Sequence, residues 1–155
     1  MARGEKRSAA RLAAVQALYE MDISGKGVTE AMAEFEAHWM GREVEGLTFQ
    51  PAEAEFFRAI LQGVVQNQVA IDQKVDAALA KGWPLRRIET VLRAVLRAGA
   101  FELMHRPDVP AKVAISEYVD LTRDFYEGEE AGLVNAVLDS IGRDVRAAEL
   151  SKRVG

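Results

Sequence analysis

Lys6-Arg-Ser-Ala-Ala-Arg-Leu-Ala-Ala-Val-Gln-Ala-Leu-Tyr19 begins basic, turns alanine-rich and apolar, and ends on a tyrosine. Ala9, Ala10, Ala13, Ala14 and Ala17 are the strongest helix formers, and neither Gly nor Pro intervenes before Gly25. The stretch therefore predicts a helix from about Ser8 to Ser24, closed by Gly25 and Gly27. At about 100° per residue, Leu12, Val15, Leu18, Tyr19 and Ile23 gather on one side as a core face. Gln16 and Glu20 fall on the other, with Tyr19 toward the boundary. Arg7 and Arg11 form an i,i+4 pair at the start.

Helical spacing continues outward from this stretch. Thr29 can cap a second helix of about Glu30 to Trp39, with Met32, Phe35 and Trp39 inward. Met40 to Gln50 reads as a surface loop. Pro51 suits the first turn of a third helix bearing Phe56, Phe57, Ile60, Leu61, Val64 and Val65. A bend near Asn67 leads into a fourth with Val69, Ile71, Val75 and Leu79. Gly82-Trp83-Pro84 punctuates the chain as the border between two helical halves, about 6–81 and 85–150. The fifth helix, about Leu85 to Met104, carries an apolar stripe wide enough for contact on several sides, and Gly99 inside it permits close approach. After the loop from His105 to Pro110 comes a sixth helix, about Lys112 to Phe125, with Val113, Ile115, Tyr118, Val119 and Leu121. A polar loop, Glu127 to Gly132, precedes a seventh helix from about Leu133, which Gly142 ends or weakens. Residues 147–155 read as a basic, fraying tail. No strand-type alternation of useful length and no fixed-period repeat occurs. The fold class is all-α: about seven helices in one domain built as two packed three-helix-type bundles.

Composition narrows the chemistry. The 155 residues are 49% hydrophobic and 28% charged, ordinary for a globular chain. There is no cysteine, which removes disulfides and thiolate metal sites and suits a reducing compartment. His38 and His105 lie far apart in sequence, and no metal site is expected. No apolar run approaches the roughly 20 residues that span a bilayer, and the basic N-terminus lacks the apolar segment of a signal peptide, so the expected location is the cytoplasm. Charge is polarised under a net of −4. Residues 1–11 carry four cations against Glu5, and residues 81–106 carry six against Glu89 and Glu102. Residues 28–60 carry seven glutamates against Arg42 and Arg58. An acidic whole with basic patches argues against non-specific DNA coating and leaves room for a selective RNA contact or a protein partner.

No phosphate-cradling GxxxxGK[ST] or GxGxxG loop and no GxSxG elbow occurs, so no enzyme and no cofactor is expected. Nucleic acid is the better candidate. Arg7 and Arg11, one turn apart, can grip neighbouring phosphates, Gln16 can bond base edges, and Tyr19 offers a face to an unstacked base. The bland alternative is a soluble helix end with Tyr19 in the core.

Four segments occur in order: Arg7 to Tyr19, ending Ala-Val-Gln-Ala-Leu-Tyr; Arg93-Ala-Val-Leu-Arg-Ala-Gly-Ala-Phe-Glu-Leu103; Val109-Pro-Ala-Lys-Val-Ala-Ile-Ser-Glu117; and Leu133-Val-Asn-Ala-Val-Leu-Asp139. Together, over roughly residues 6–142, they resemble the NusB family of bacterial transcription antitermination factors. The resemblance implies boxA RNA of ribosomal RNA transcripts as ligand and NusE, a small-subunit ribosomal protein, as partner. It also implies service in a termination-resistant RNA polymerase complex, with no turnover. Carried onto this chain, it implies RNA contacts by Lys6, Arg7, Arg11, Gln16 and Tyr19, completed by Leu133 and Asn135. The acidic loop Glu127 to Glu130 would temper RNA affinity by repelling phosphate. NusE is expected around the fifth helix, at Arg86, Arg87 and Arg93. A homodimer hiding the RNA face is an open alternative for the free state. Ser8 and Ala9 stand where the family often has arginine, Leu133 where it has phenylalanine, Ser116 where it has asparagine and Ala136 where it has glycine. These departures thin the expected phosphate grip and remove a stacking platform. The competing reading is a helical protein-interaction module that never touches RNA.

Overall fold

In the computed structural model, described residues are 3–39, 43–44, 47–48, 51–79 and 88–151, with side chains placed at 7–37, 54–79 and 88–150. The helices are α1 (Arg3–Ser24), α2 (Val28–Trp39), α3 (Pro51–Gln66), α4 (Gln68–Ala78), α5 (Thr90–His105), α6 (Ala111–Phe125), α7 (Glu130–Val145) and α8 (Ala147–Ser151). Within the expected loop, β1 (Glu43–Val44) and β2 (Leu47–Thr48) form a minimal antiparallel ladder, Glu43 opposite Thr48 and Val44 opposite Leu47. The class is all-α. The chain divides into two units, Met1–Gln66 and Asn67–Gly155. The border expected at Gly82-Trp83-Pro84 lies outside the described residues; α4 packs on α5 and α7 in the second unit.

The first unit is a three-helix assembly in which α1 packs mainly on α3. The face that α1 buries differs from the expected one. Ala10, Ala13, Ala14 and Ala17 line it with Val15 and Leu18, whereas Leu12 and Tyr19 are half-buried and Ile23 is 60% exposed. Projected at about 100° per residue, the buried set centres on the alanines, and Ile23 lies almost opposite them. Methyl groups let two backbones approach, so the small residues are covered together with Val15 and Leu18, while Leu12, Tyr19 and Ile23 ride at the edge or outside. From α3 come Ala54, Phe56, Phe57, Ile60, Leu61 and Val64. Phe57 stacks on Phe35 of α2 at 5.6 Å between centroids. Between α1 and α2, Gly25 adopts φ +78° and its amide reaches Met21 O at 2.9 Å, the left-handed helix stop that glycine takes without strain.

In the second unit α5 is surrounded by α4, α6 and α7, and nearly every residue from Leu92 to Leu103 is buried. The broad stripe read from sequence thus marks a central helix. Glu89 caps its start by accepting from Val91 N at 3.2 Å. At Gly99 a Cβ would meet Leu138 Cδ1 of α7 at 2.7 Å, so the close approach expected there occurs. Ile71 and Val75 of α4 face the core, but Val69, about 200° away from Ile71 on the helix, is 75% exposed. Val113 of α6 is likewise turned out, at 46%. Arg97 of α5 grips Asp72 of α4 with two bonds of 2.8 and 3.0 Å. Inside the unit Tyr118 donates to the Glu102 carboxylate, and both residues are fully buried.

Several boundaries depart from expectation: α1 begins at Arg3 rather than about Ser8, and α5 at Thr90, after its cap Glu89, rather than about Leu85. The seventh helix starts at Glu130, three residues early, because Glu130 in the first turn favours the helix dipole. Gly142 does not end it, and the expected tail folds back as α8. Leu150 of α8 is 1% exposed and lies where a Cβ on Gly142 would be, 2.8 Å from its Cδ1. Arg146, at the corner between α7 and α8, donates to the carbonyls of Leu103 (2.9 Å), Glu102 (3.2 Å), Arg106 (2.7 Å) and Val109 (3.0 Å). It thereby adds a side-chain donor to carbonyls in the last turn of α5 and in the loop after it, two of which also accept the amides of Arg106 and Val109. It also donates to Glu149 at 2.8 Å, whose other oxygen accepts from Ala111 N, the first amide of α6, at 2.6 Å.

Candidate nucleic-acid interface

The basic start of α1 is organised by one aromatic ring. Arg7 Cζ lies 4.5 Å and Arg11 Cζ 5.2 Å from the centroid of Phe56 on α3. A guanidinium over a ring face is attracted by the ring quadrupole, by about 0.5–1 kcal/mol at exposed sites and about 2 kcal/mol when desolvated. The two arginines differ in surroundings. Arg7 is half-buried, whereas Arg11 is only 2% exposed. The expectation that both guanidiniums grip phosphates is therefore corrected for Arg11. Position 11 falls about 100° from Ala10 and about 60° from Ala14, between the buried Val15 and Leu18, so its side chain enters the core rather than solvent. Arg7 is the cation of the pair with access to the surface. The side chain of Lys6 lies outside the described residues.

Gln16 and Tyr19 are both half-buried and stand three residues apart, one turn along the outer side of α1. With Ser8, Leu12 and Ile23 they follow a single stripe opposite the alanine face. Beyond it the α1–α2 corner is closed by Lys26, whose ammonium meets Glu34 at 2.6 Å and Glu20 at 3.2 Å. Hydrogen bonding to Glu34 first, and then to Glu20, holds the Lys26 pKa above its ordinary 10.5. That corner is charge-neutralised and offers no spare cation to a polyanion.

On the second unit, Leu133 and Asn135 occupy the first turns of α7. Asn135 is exposed and Leu133 half-buried. Two residues apart, they point about 200° from each other, so the exposed amide rather than the leucine is presented to solvent. Glu127 and Glu129 are exposed just before the helix. Of the arginines assigned to a protein partner, Arg86 and Arg87 lie outside the described residues, and Arg93 is half-buried with its guanidinium 3.4 Å from Ile88 O. Among the described residues no three His, Asp or Glu side chains gather as a metal site, and no helix is long and apolar enough to cross a membrane.

Phe56 is the residue the sequence undervalued. It reads there as one more core aromatic beside Phe57. Adjacent residues on a helix point about 100° apart, so Phe56 and Phe57 cannot both face Phe35, and that offset was the available signal.

Residues 8–143 match the sequence profile of the NusB family. The chain belongs to the NusB family. It is 59% identical to transcription antitermination protein NusB of Bradyrhizobium diazoefficiens over 150 residues, covering 97% of this chain and 91% of that protein. To the NusB protein of Nitrobacter hamburgensis it is 57% identical over 150 residues, covering 97% and 94%. Among solved structures, T. maritima NusB superposes with a TM-score of 0.78 at 23% identity, covering 94% of this chain and 96% of that one. A chain from the crystal structure of antitermination factors NusB and NusE in complex with dsRNA gives a TM-score of 0.74 at 24% identity, covering 93% and 99%. At these identities the two structures attest to the NusB fold.

Proposed function

We propose that this chain is an RNA-binding transcription antitermination factor, acting by recognition and not by turnover. It binds boxA RNA of ribosomal RNA transcripts together with NusE, and the pair promotes a termination-resistant RNA polymerase complex in the cytoplasm. The observation that carries this reading is relatedness: NusB proteins named for transcription antitermination match 97% of the chain at 57–59% identity. A NusB relative crystallised with NusE and dsRNA supports the choice of partners.

RNA contact is assigned to Lys6, Arg7, Gln16 and Tyr19 on α1 and to Leu133 and Asn135 on α7. Arg7 meets a phosphate; Gln16 and Tyr19 meet an unstacked base by hydrogen bonding and stacking. Arg11 keeps a place in the site as the buried cation behind Arg7. NusE is assigned to the surface around Arg86, Arg87 and Arg93. The test is a titration of labelled boxA RNA and a scrambled RNA, each with and without NusE. Preference for boxA, strengthened by NusE, is expected; equal affinity for both RNAs overturns the reading.

A further inference from the structure

Phe56 of α3 contacts both arginines of the basic turn of α1. It is 4% exposed, and its ring lies 4.5 Å from Arg7 Cζ and 5.2 Å from Arg11 Cζ. Its neighbour Phe57 is fully buried and stacks on Phe35, so the two aromatics divide their duties. An arginine side chain has many rotamers, and fixing it on RNA binding costs affinity. A guanidinium lying against a ring face has part of that freedom removed beforehand. Its N–H groups lie in the guanidinium plane, so a ring against the face does not compete for them. Arg11, buried beside the same ring, is a second cation close to the site, and it adds to the positive potential that a phosphate meets.

We infer that Phe56 is a positioning residue for RNA: it is a shelf that holds the Arg7 guanidinium ready for a backbone phosphate of single-stranded RNA. The inference rests on the assignment of Arg7 as a phosphate contact. It adds that recognition is preorganised from α3, an element that carries no RNA contact of its own in the proposed interface. Loss of the shelf should weaken binding without removing a charge. Affinity then falls while the number of counterions released stays the same.

The experiment is a double-mutant cycle on the full-length chain with labelled boxA RNA, using Phe56→Leu, Arg7→Ala and the double variant, each titrated across a range of salt. Phe56→Leu keeps an apolar side chain but has no ring face. It should weaken binding roughly three- to ten-fold, the scale of ordering one long side chain, with an unchanged salt slope. In the Arg7→Ala background it should cause no further loss. Phe56→Tyr retains the face, and its affinity should match the parent, which guards against a leucine variant that fails to fold. Circular dichroism and urea midpoints establish folding for each. Full affinity in folded Phe56→Leu, an equal loss in both Arg7 backgrounds, or weak binding by folded Phe56→Tyr overturns the shelf while leaving Arg7 as a contact. If Arg7→Ala itself changes neither affinity nor slope, the assignment of Arg7 falls, and the shelf falls with it.

Discussion

Gly99 of α5 and Leu138 of α7 meet with no side chain between them: a Cβ on Gly99 would lie 2.7 Å from Leu138 Cδ1 and 3.0 Å from Cδ2. Leu138 is fully buried and has nowhere to turn. Gly99→Ala gains about 0.5–1 kcal/mol from helix propensity but must overpack the contact, which typically costs about 1–3 kcal/mol. A net loss of about 1–2 kcal/mol in urea denaturation is expected, because the steric term is the larger. Adding Leu138→Val should recover part of it, so that the double variant is less destabilised than the sum of the singles.

Arg11→Ala should act on stability. Its side chain is 2% exposed and packs on Phe56, so truncation leaves a void and removes a buried cation from its surroundings. A loss of about 3 kcal/mol is expected by urea denaturation, within the range for breaking buried charged packing. The salt slope of RNA binding by the folded fraction should not change.

Arg7→Ala should do the reverse. The half-buried, surface-reaching guanidinium contributes little to the core but releases counterions when it meets a phosphate. The slope of log affinity against log salt should become shallower by about 0.7, the value for one contact to a single strand. Fluorescence anisotropy at several salt concentrations measures it, with a near-parental urea midpoint as the control.

Acid should loosen the corner between α7 and α8. The Ala111 amide first, and Arg146 second, hold the Glu149 carboxyl below its ordinary value of 4.5. A depressed folded pKa contributes stability that is fully present above the unfolded pKa and is lost as pH falls through the folded one. The stability gap between the parent and Glu149→Gln should therefore be constant near neutrality, shrink below about pH 4.5, and close in stronger acid. Arg146→Ala, which removes a side-chain donor from four backbone carbonyls, of which Glu102 O and Arg106 O keep the amides of Arg106 and Val109, should cost about 2–3 kcal/mol at neutral pH.

Periodicity made the helices legible, and it made α5 legible as the central one, because a stripe from Leu92 to Leu103 is too wide for one neighbour. What it could not rank was small against large. Leu12, Tyr19 and Ile23 weigh more on any hydrophobic scale than Ala10, Ala13, Ala14 and Ala17, yet the alanines are what α1 buries. Burial of a methyl-lined face depends on how near the partner backbone can come, which no single segment states. The same blindness hid the fate of Arg11: an arginine reads as surface until a ring on another helix is known to lie beside it. The tail was misread for a related reason. Leu150 is a single apolar residue in a charged run, and Arg146 shows its value only when the carbonyls at the end of α5 are brought to it. By contrast Gly25 and Gly99 stand as the sequence reading had them.

The alanine seam of α1 has a mechanical meaning. Alanine has no χ rotamer, so a seam of methyl groups cannot repack to absorb a change on the facing helix. It can only be enlarged, and any enlargement at Ala10, Ala14 or Ala17 pushes α3 away as a rigid rod. Phe56 travels with that rod. The seam therefore acts as a fixed spacer that sets the height of the ring beneath Arg7, and tolerance to mutation along it is one-sided. A methyl added far from any RNA contact should be felt at the cation as a change in its footing.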